Sequence, residues 1–285
     1  MSTNRRGATF MVLAMAAFAC EDTLVKSATQ LVPAATVMTG FGLLGMALFA
    51  AMAWLRRERV LPAGGLSRGL SIRSAMELCG RLFYSLALAF ADLGATSAIL
   101  QATPLVVVGG AVWVFGERVG WRRWTAIGIG FLGVLLVLRP SGQGVDMAAL
   151  FAVLGMLGFA GRDLATRAAP LTVTNAQLGV LGMGVLALAG LVVQGASGAV
   201  PVLPGPGAAL RILGAALFGV GAYSALTVAM RSGEVSVVTP FRYTRLVFAL
   251  ILAVLVFGER PDPSMLLGSA LIVGSGLFTL ARSRR

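Results

Sequence analysis

Phe18-Ala19-Cys20-Glu21-Asp22, with Lys26 four residues on, recurs as Phe159-Ala160-Gly161-Arg162-Asp163, with Arg167 four residues on, and the offset is 141 at every position. Nearly the same displacement relates Tyr84-Ser85, Gly94 and Ser97 to Tyr223-Ser224, Gly233 and Ser236, at an offset of 139. It also relates Phe115-Gly116-Glu117-Arg118 to Phe257-Gly258-Glu259-Arg260, at an offset of 142. Self-similarity at a fixed period marks a repeated structural unit. The 285 residues therefore divide into two copies, 1–140 and 141–285.

The units are membrane-embedded. Hydrophobic residues make up 58% of the chain and charged residues only 12%, against about a quarter charged in a soluble domain. Charge is absent from Ser27 to Leu55, Ala95 to Gly116, Leu171 to Leu210 and Ser264 to Ala281, while a helix needs roughly 20 residues to cross hydrocarbon. Apolar runs read against loop signals predict spans near 8–30, 34–55, 72–92, 95–116, 122–139, 146–168, 173–194, 208–230, 235–257 and 263–281. The expected fold is all-α, with ten transmembrane helices as two five-helix repeats. Because five is odd, the second copy enters the bilayer from the opposite side, an arrangement suited to alternating access.

The net charge of +12 would suggest nucleic acid as a partner of a soluble domain. Here the arginines of both tails and of alternate loops, such as Arg5, Arg6, Arg56, Arg57, Arg59, Arg122, Arg123, Arg284 and Arg285, fit the retention of basic residues on the cytoplasmic side. Arg73 reads as one of these loop arginines. Both termini are then expected in the cytoplasm, with the bilayer in place of nucleic acid as partner. Trp113, Trp121 and Trp124 read as interfacial anchors. Glu21 and Asp22 lie where a cleavage site would end a signal peptide, and the apolar run resumes at once, so the first segment reads as an uncleaved helix. The strings Gly40 to Gly45 and Gly128 to Gly133 match a dinucleotide fingerprint letter for letter. They lack the strand-turn-helix context that this chemistry needs and read as close-packing glycines.

Ten ionisable groups are candidates for positions near the bilayer centre: Glu21, Asp22, Lys26, Glu77, Arg81, Arg162, Asp163, Arg167, Arg242 and Arg245. Each costs about 2.5 to 3.5 kcal/mol at the bilayer centre on insertion scales, so each needs a partner or a wet cavity. Asp22 with Lys26, Glu77 with Arg81 and Asp163 with Arg167 are acid-first pairs spaced for one helix face. Two readings stand side by side: the pairs only neutralise one another, or Glu21, Asp22, Lys26, Arg162, Asp163 and Arg167 gate or couple a central cavity, outer side at Asp22 and inner side at Asp163. Glu21 has no base four residues on and is the candidate protonation site. The excess of bases points to a substrate with an anionic group, held by the planar forks of Arg242 and Arg245, unless Glu77 or Glu21 pairs with one of them. Tyr84, Tyr223 and Tyr243 lie inside spans and offer an aromatic face and a hydroxyl. Gln101, with Glu77 and Arg81, completes the expected binding set. Pro104 and Pro240 predict breaks in the fourth and ninth spans.

Two halves of about 140 residues, each carrying Phe-Gly-Glu-Arg (at Phe115 and Phe257) before a Gly-rich last helix, resemble the EamA branch of the drug/metabolite transporter superfamily. The second copy continues Pro261-Asp262-Pro263 where the first has Val119-Gly120-Trp121. The resemblance implies a ten-helix carrier of small metabolites with its cavity between the halves. The expectation is a secondary transporter of the bacterial inner membrane, a monomer or weak homodimer, exporting a small amphipathic metabolite such as an amino acid, aromatic ones included. The alternative is an importer or exchanger of larger organic anions or nucleoside-type metabolites, such as phosphorylated metabolites or S-adenosyl compounds. A membrane scaffold or scramblase is the reading outside this class. An enzyme is not expected, since the chain has no histidine and no activated nucleophile. Nor is a cofactor or metal site.

Overall fold

The computed structural model describes residues 3–62, 67–116, 120–138, 147–168, 173–198, 202–232 and 239–282. The expected boundary between the copies, at 140/141, lies outside the described residues. Within them the chain is helical, with no strand. The first copy forms α1 (Thr3–Thr29), α2 (Ala34–Leu55), α3 (Arg68–Phe90), α4 (Leu93–Leu100), α5 (Thr103–Phe115) and α6 (Trp121–Leu138). The second forms α7 (Met147–Ala168), α8 (Asn175–Ser197), α9 (Pro206–Ser232), a 3-10 turn (Thr239–Tyr243), α10 (Thr244–Phe257) and α11 (Pro263–Arg282).

Local sequence accounts for the ends. The Ser67 side chain accepts from the Leu70 amide at the start of α3. Thr174 and Gln177 form a reciprocal capping box on α8. Gly116 and Gly258 close α5 and α10 with φ of 67° and 65°, a left-handed conformation that glycine adopts without the Cβ penalty. This explains the glycine of the repeated Phe-Gly-Glu-Arg element. Six segments are long and apolar enough to cross a bilayer: Arg5–Thr29, Ala34–Leu55, Leu93–Val114, Met147–Ala165, Asn175–Ser197 and Pro206–Ala229. The third span, α3, has the length but carries Arg68, Arg73, Glu77 and Arg81. Trp113, Trp121 and Trp124 are exposed near the ends of α5 and α6.

The packing is symmetric between the copies. Helix α1 packs on α9 and α3 on α7, two contacts that exchange when the copies exchange, while α2 packs on α8 and α6 on α11. Each of these pairs is antiparallel. Along α2 and α8, Ala35 and Thr39 meet Gly190, Gly42 meets Ala187, and Phe49 meets Gly179. Along α3 and α7, Met76 meets Gly161 and Tyr84 meets Gly155; along α1 and α9, Leu24 meets Gly214 and Glu21 meets Gly219. An odd number of crossings in each copy requires this orientation. The backbones approach closely at Gly42 against Ala187 and at Gly133 against Gly268, where no Cβ would fit. Both glycines belong to the strings that mimic a nucleotide-binding loop, and here they serve helix contact.

The fourth and ninth spans are broken. Gln101 and Ala102 separate α4 from α5, and the 3-10 turn precedes α10, next to Pro104 and within the segment holding Pro240. Two half-helices, α5 and α10, thus begin inside the molecule.

Candidate functional site

Asp22 is the most heavily bonded acid of the interior. It projects from α1 and is 2% exposed. Its Oδ2 accepts from the Tyr84 hydroxyl of α3 at 3.0 Å and from Arg245 Nε and Nη2, at the start of α10, at 3.2 and 2.7 Å. The Arg245 guanidinium lies over the rings of Phe18 and Tyr84, with centroid distances of 4.9 and 5.7 Å. One carboxylate therefore ties the first copy to the second. The expected pairing of Asp22 with Lys26 is not formed, because a closer base reaches Asp22 from another helix.

Lys26 points toward the C-terminal end of α1 instead. Its ammonium donates to the Ala91 carbonyl at the end of α3, lies 3.8 Å from Glu259 Oε1 and sits over the Phe257 ring. Glu259 follows α10 and accepts from the Leu93 and Gly94 amides, at 2.7 and 3.0 Å, which are unsatisfied donors at the first turn of α4. The glutamate of the second Phe-Gly-Glu-Arg element thus caps a broken helix of the first copy. Sequence reasoning recorded this motif without finding its role; the duplicated motif beside a short half-helix was the available signal. Glu117, its counterpart, lies outside the described residues.

A second cluster surrounds Glu77, which is 1% exposed on α3. Arg81 Nε donates to Oε1 at 3.2 Å, the expected i,i+4 pair. Arg73 Nη1 lies 2.9 Å from Oε2, and Arg162 Nη1 of α7 lies 4.0 Å from Oε1. Arg73 is buried at 3% exposure, which corrects its reading as a loop residue: it lies one turn before Glu77 on the buried face of α3, with Leu70, Gly80 and Tyr84. Arg162 also donates through Nε and Nη2 to Asp163 Oδ1 at 3.0 and 2.8 Å, and stacks over Phe159. Asp163 is thus paired with its chain neighbour, and the expected Asp163 to Arg167 pair rests on a side chain that lies outside the described residues. The Asp163 side chain is 27% exposed and that of Arg162 19%.

The remaining expected residues are dispersed around these clusters. Gln101 is buried at the break of the fourth span, where its Nε2 donates to the Arg242 carbonyl at 3.1 Å. This bond joins the break of the fourth span to that of the ninth. The Arg242 guanidinium makes no hydrogen bond among the described residues, and its counter-charge is the Asp163 carboxylate that Arg162 already bonds. Tyr223 is half-buried and packs edge-on against Phe49. Tyr243 is buried, with its phenol against Gly276 of α11. Glu21 faces Gly219 of α9, with Oε2 buried and without a hydrogen-bond partner. A separate cavity of about 520 Å³ between α6 and α11, lined by Trp121, Arg122, Ile129, Leu271 and Phe278 among others, contains none of these groups.

Two antiparallel copies thus enclose paired charges at the level where two helices break, the arrangement used by carriers built on inverted repeats. The EamA-like transporter family matches residues 5–139 and 144–281, one match for each copy. The chain belongs to the EamA-like transporter family. It is 30% identical, over 98% of its length and 92% of the relative's, to a protein named riboflavin transporter from Rhizobium johnstonii. It is 26% identical, over 75% of its length and 72% of the relative's, to one named S-adenosylmethionine uptake transporter from Rickettsia bellii. A solved crystal structure matches 96% of this EamA chain and 98% of its own with a TM-score of 0.65 at 19% identity, a likeness of fold alone. The chain is a membrane transporter. These relatives favour the alternative expectation, larger organic or nucleoside-type metabolites, over amino-acid export.

Proposed function

We propose that this EamA-family protein carries a metabolite built on a planar heteroaromatic ring, of the flavin or adenosyl type, across the bacterial inner membrane by alternating access, in the direction of uptake and with both termini cytoplasmic. The observation that carries the reading is the unequal exposure of equivalent acids: Asp22 is 2% exposed and the Asp163 side chain 27%. One end of the interior is bonded shut across the copies at Asp22, Tyr84 and Arg245, and again at Lys26, Ala91 and Glu259. The other end reaches solvent. Phe18, Tyr84 and Phe159 present aromatic faces beside the guanidinium planes of Arg245 and Arg162, surfaces on which a flat ring stacks. The names of the relatives point to substrates of this kind. Substrate held against Asp22 or Arg245 would compete with their bond and release the closed end, the differential interaction an alternating carrier needs.

Purified protein in liposomes takes up labelled riboflavin or S-adenosylmethionine, and an excess of the unlabelled compound inside accelerates that uptake by exchange. Uptake of labelled amino acids with neither of these compounds transported would overturn the reading.

A further inference from the structure

We propose that Arg242 recognises an anionic group on the substrate, so that among ring-bearing metabolites the carrier selects those with a carboxylate or phosphate. The inference rests on the transporter reading and narrows its substrate class.

The charge pattern of the interior leads to Arg242. Asp22 is engaged by Arg245 and Tyr84, Glu77 by Arg73 and Arg81, Asp163 by Arg162, and Glu259 by Lys26 and two amides. Glu21, the acid left over, packs toward Gly219 of α9 and is not among the ion-pair partners of Arg242. Asp163 also serves as the counter-charge of Arg242, which does not hydrogen-bond it, so two guanidinium groups, those of Arg162 and Arg242, draw on one carboxylate and Arg242 holds the weaker share. A guanidinium taken out of bulk water with only a shared counter-ion, and no hydrogen bond to it, is costly. It is tolerated where it lines a wet cavity, and an incoming anion then gains a charge-assisted, two-pronged contact.

The position of Arg242 agrees with this. Its backbone carbonyl is held by Gln101 Nε2, which fixes the turn that presents the side chain. It lies in the 3-10 turn immediately before α10, at the level where α5 also begins. In inverted-repeat carriers the substrate sits near the midplane among such broken helices, with half-helix N-termini toward its anionic group. Arg162 and Asp163, both partly exposed, lie on the accessible side.

The test uses three probes in liposomes: S-adenosylmethionine, which bears a carboxylate; riboflavin 5′-phosphate, which bears a phosphate; and riboflavin, which bears neither. The wild-type protein is expected to prefer at least one anionic probe to riboflavin by about tenfold or more in uptake at low concentration. In R242Q that ratio falls toward one through a rise in KM. In R242K part of it returns, since lysine restores charge without the planar fork. Melting of both variants is expected close to wild type, because Arg242 bonds no described side chain. Preference for the carboxylate probe or for the phosphate probe identifies which anion the site accepts. A wild-type preference for riboflavin, or an unchanged ratio in R242Q, overturns the inference while leaving the carrier reading in place. Transport of none of the three overturns both.

Discussion

The element at 18–22 and its repeat at 159–163 sit at matching places on α1 and α7, yet their aspartates are satisfied in different ways. Asp22 takes its base from α10 of the other copy and its hydroxyl donor from α3. Asp163 takes its base from the preceding residue, Arg162. The difference follows from one position. Glu21 in the first copy corresponds to Arg162 in the second, and an arginine beside the aspartate removes the need for a partner across the interface. No base stands at the place corresponding to Arg245 in the first copy, between Thr103 and Val106. Duplication has kept the helix contacts while leaving the two ends of the interior joined with unequal strength, with the Asp22 side chain 2% exposed and that of Asp163 27%.

Substitutions at matched positions break or sharpen this contrast. The largest effect is expected for Asp22→Asn, which leaves buried Arg245 without a carboxylate. Uncompensated buried charges cost about 3–5 kcal/mol, and uptake should fall more than tenfold together with a clear drop in melting temperature. Asp163→Asn, with its wetter side chain, should reduce uptake less and change melting little; equal losses of stability in the two variants would remove the asymmetry. Next is Lys26→Gln, which releases the Glu259 bracket. A hydrogen bond to a charged group contributes about 1.5–3 kcal/mol, and a thiol placed near the ends of α1 and α4 should react faster with water-soluble reagents in this variant. A smaller effect separates the paired tyrosines: Tyr84→Phe loses its bond to Asp22, about 1 kcal/mol, whereas Tyr223→Phe, whose ring rests edge-on against Phe49, should melt as wild type does. The smallest is Glu21→Gln, expected to leave stability within about 0.5 kcal/mol, since Glu21 Oε2 accepts no hydrogen bond and the bases that attract it, Arg81 and Arg245, are bonded to other carboxylates. Comparing its uptake with and without a pH gradient tells whether Glu21 couples protons to transport.

The fold was legible because its determinants are local or periodic. Span lengths follow from hydropathy, the inversion from an odd number of spans in each repeat, and the helix breaks from Pro104 and Pro240. The acid and base composition of the interior was legible in the same way. Pairing was not. Lys26 is the base nearest to Asp22 in sequence, but Arg245 reaches it from 223 residues away, and that proximity is created only by packing α1 against α10. Arg73 was hidden because it stands at the edge of its span among other arginines, and only its packing beside Glu77 shows that it faces inward. The capping role of Glu259 depends on the start of α4 lying under the end of α10. Substrate size was the least legible property, because three tyrosines and an excess of bases suit an amino acid as well as a heteroaromatic metabolite.

The central claim is a water-filled interior open to one face and closed at the other. The most direct test is impermeant thiol labelling of Asp163→Cys in a background lacking Cys20 and Cys79, applied separately from each face of the membrane. The account predicts rapid labelling from the face that carries the two chain termini and protection from the opposite face. A thiol at this position that reacts from neither face would mean a dry interior and would contradict the account.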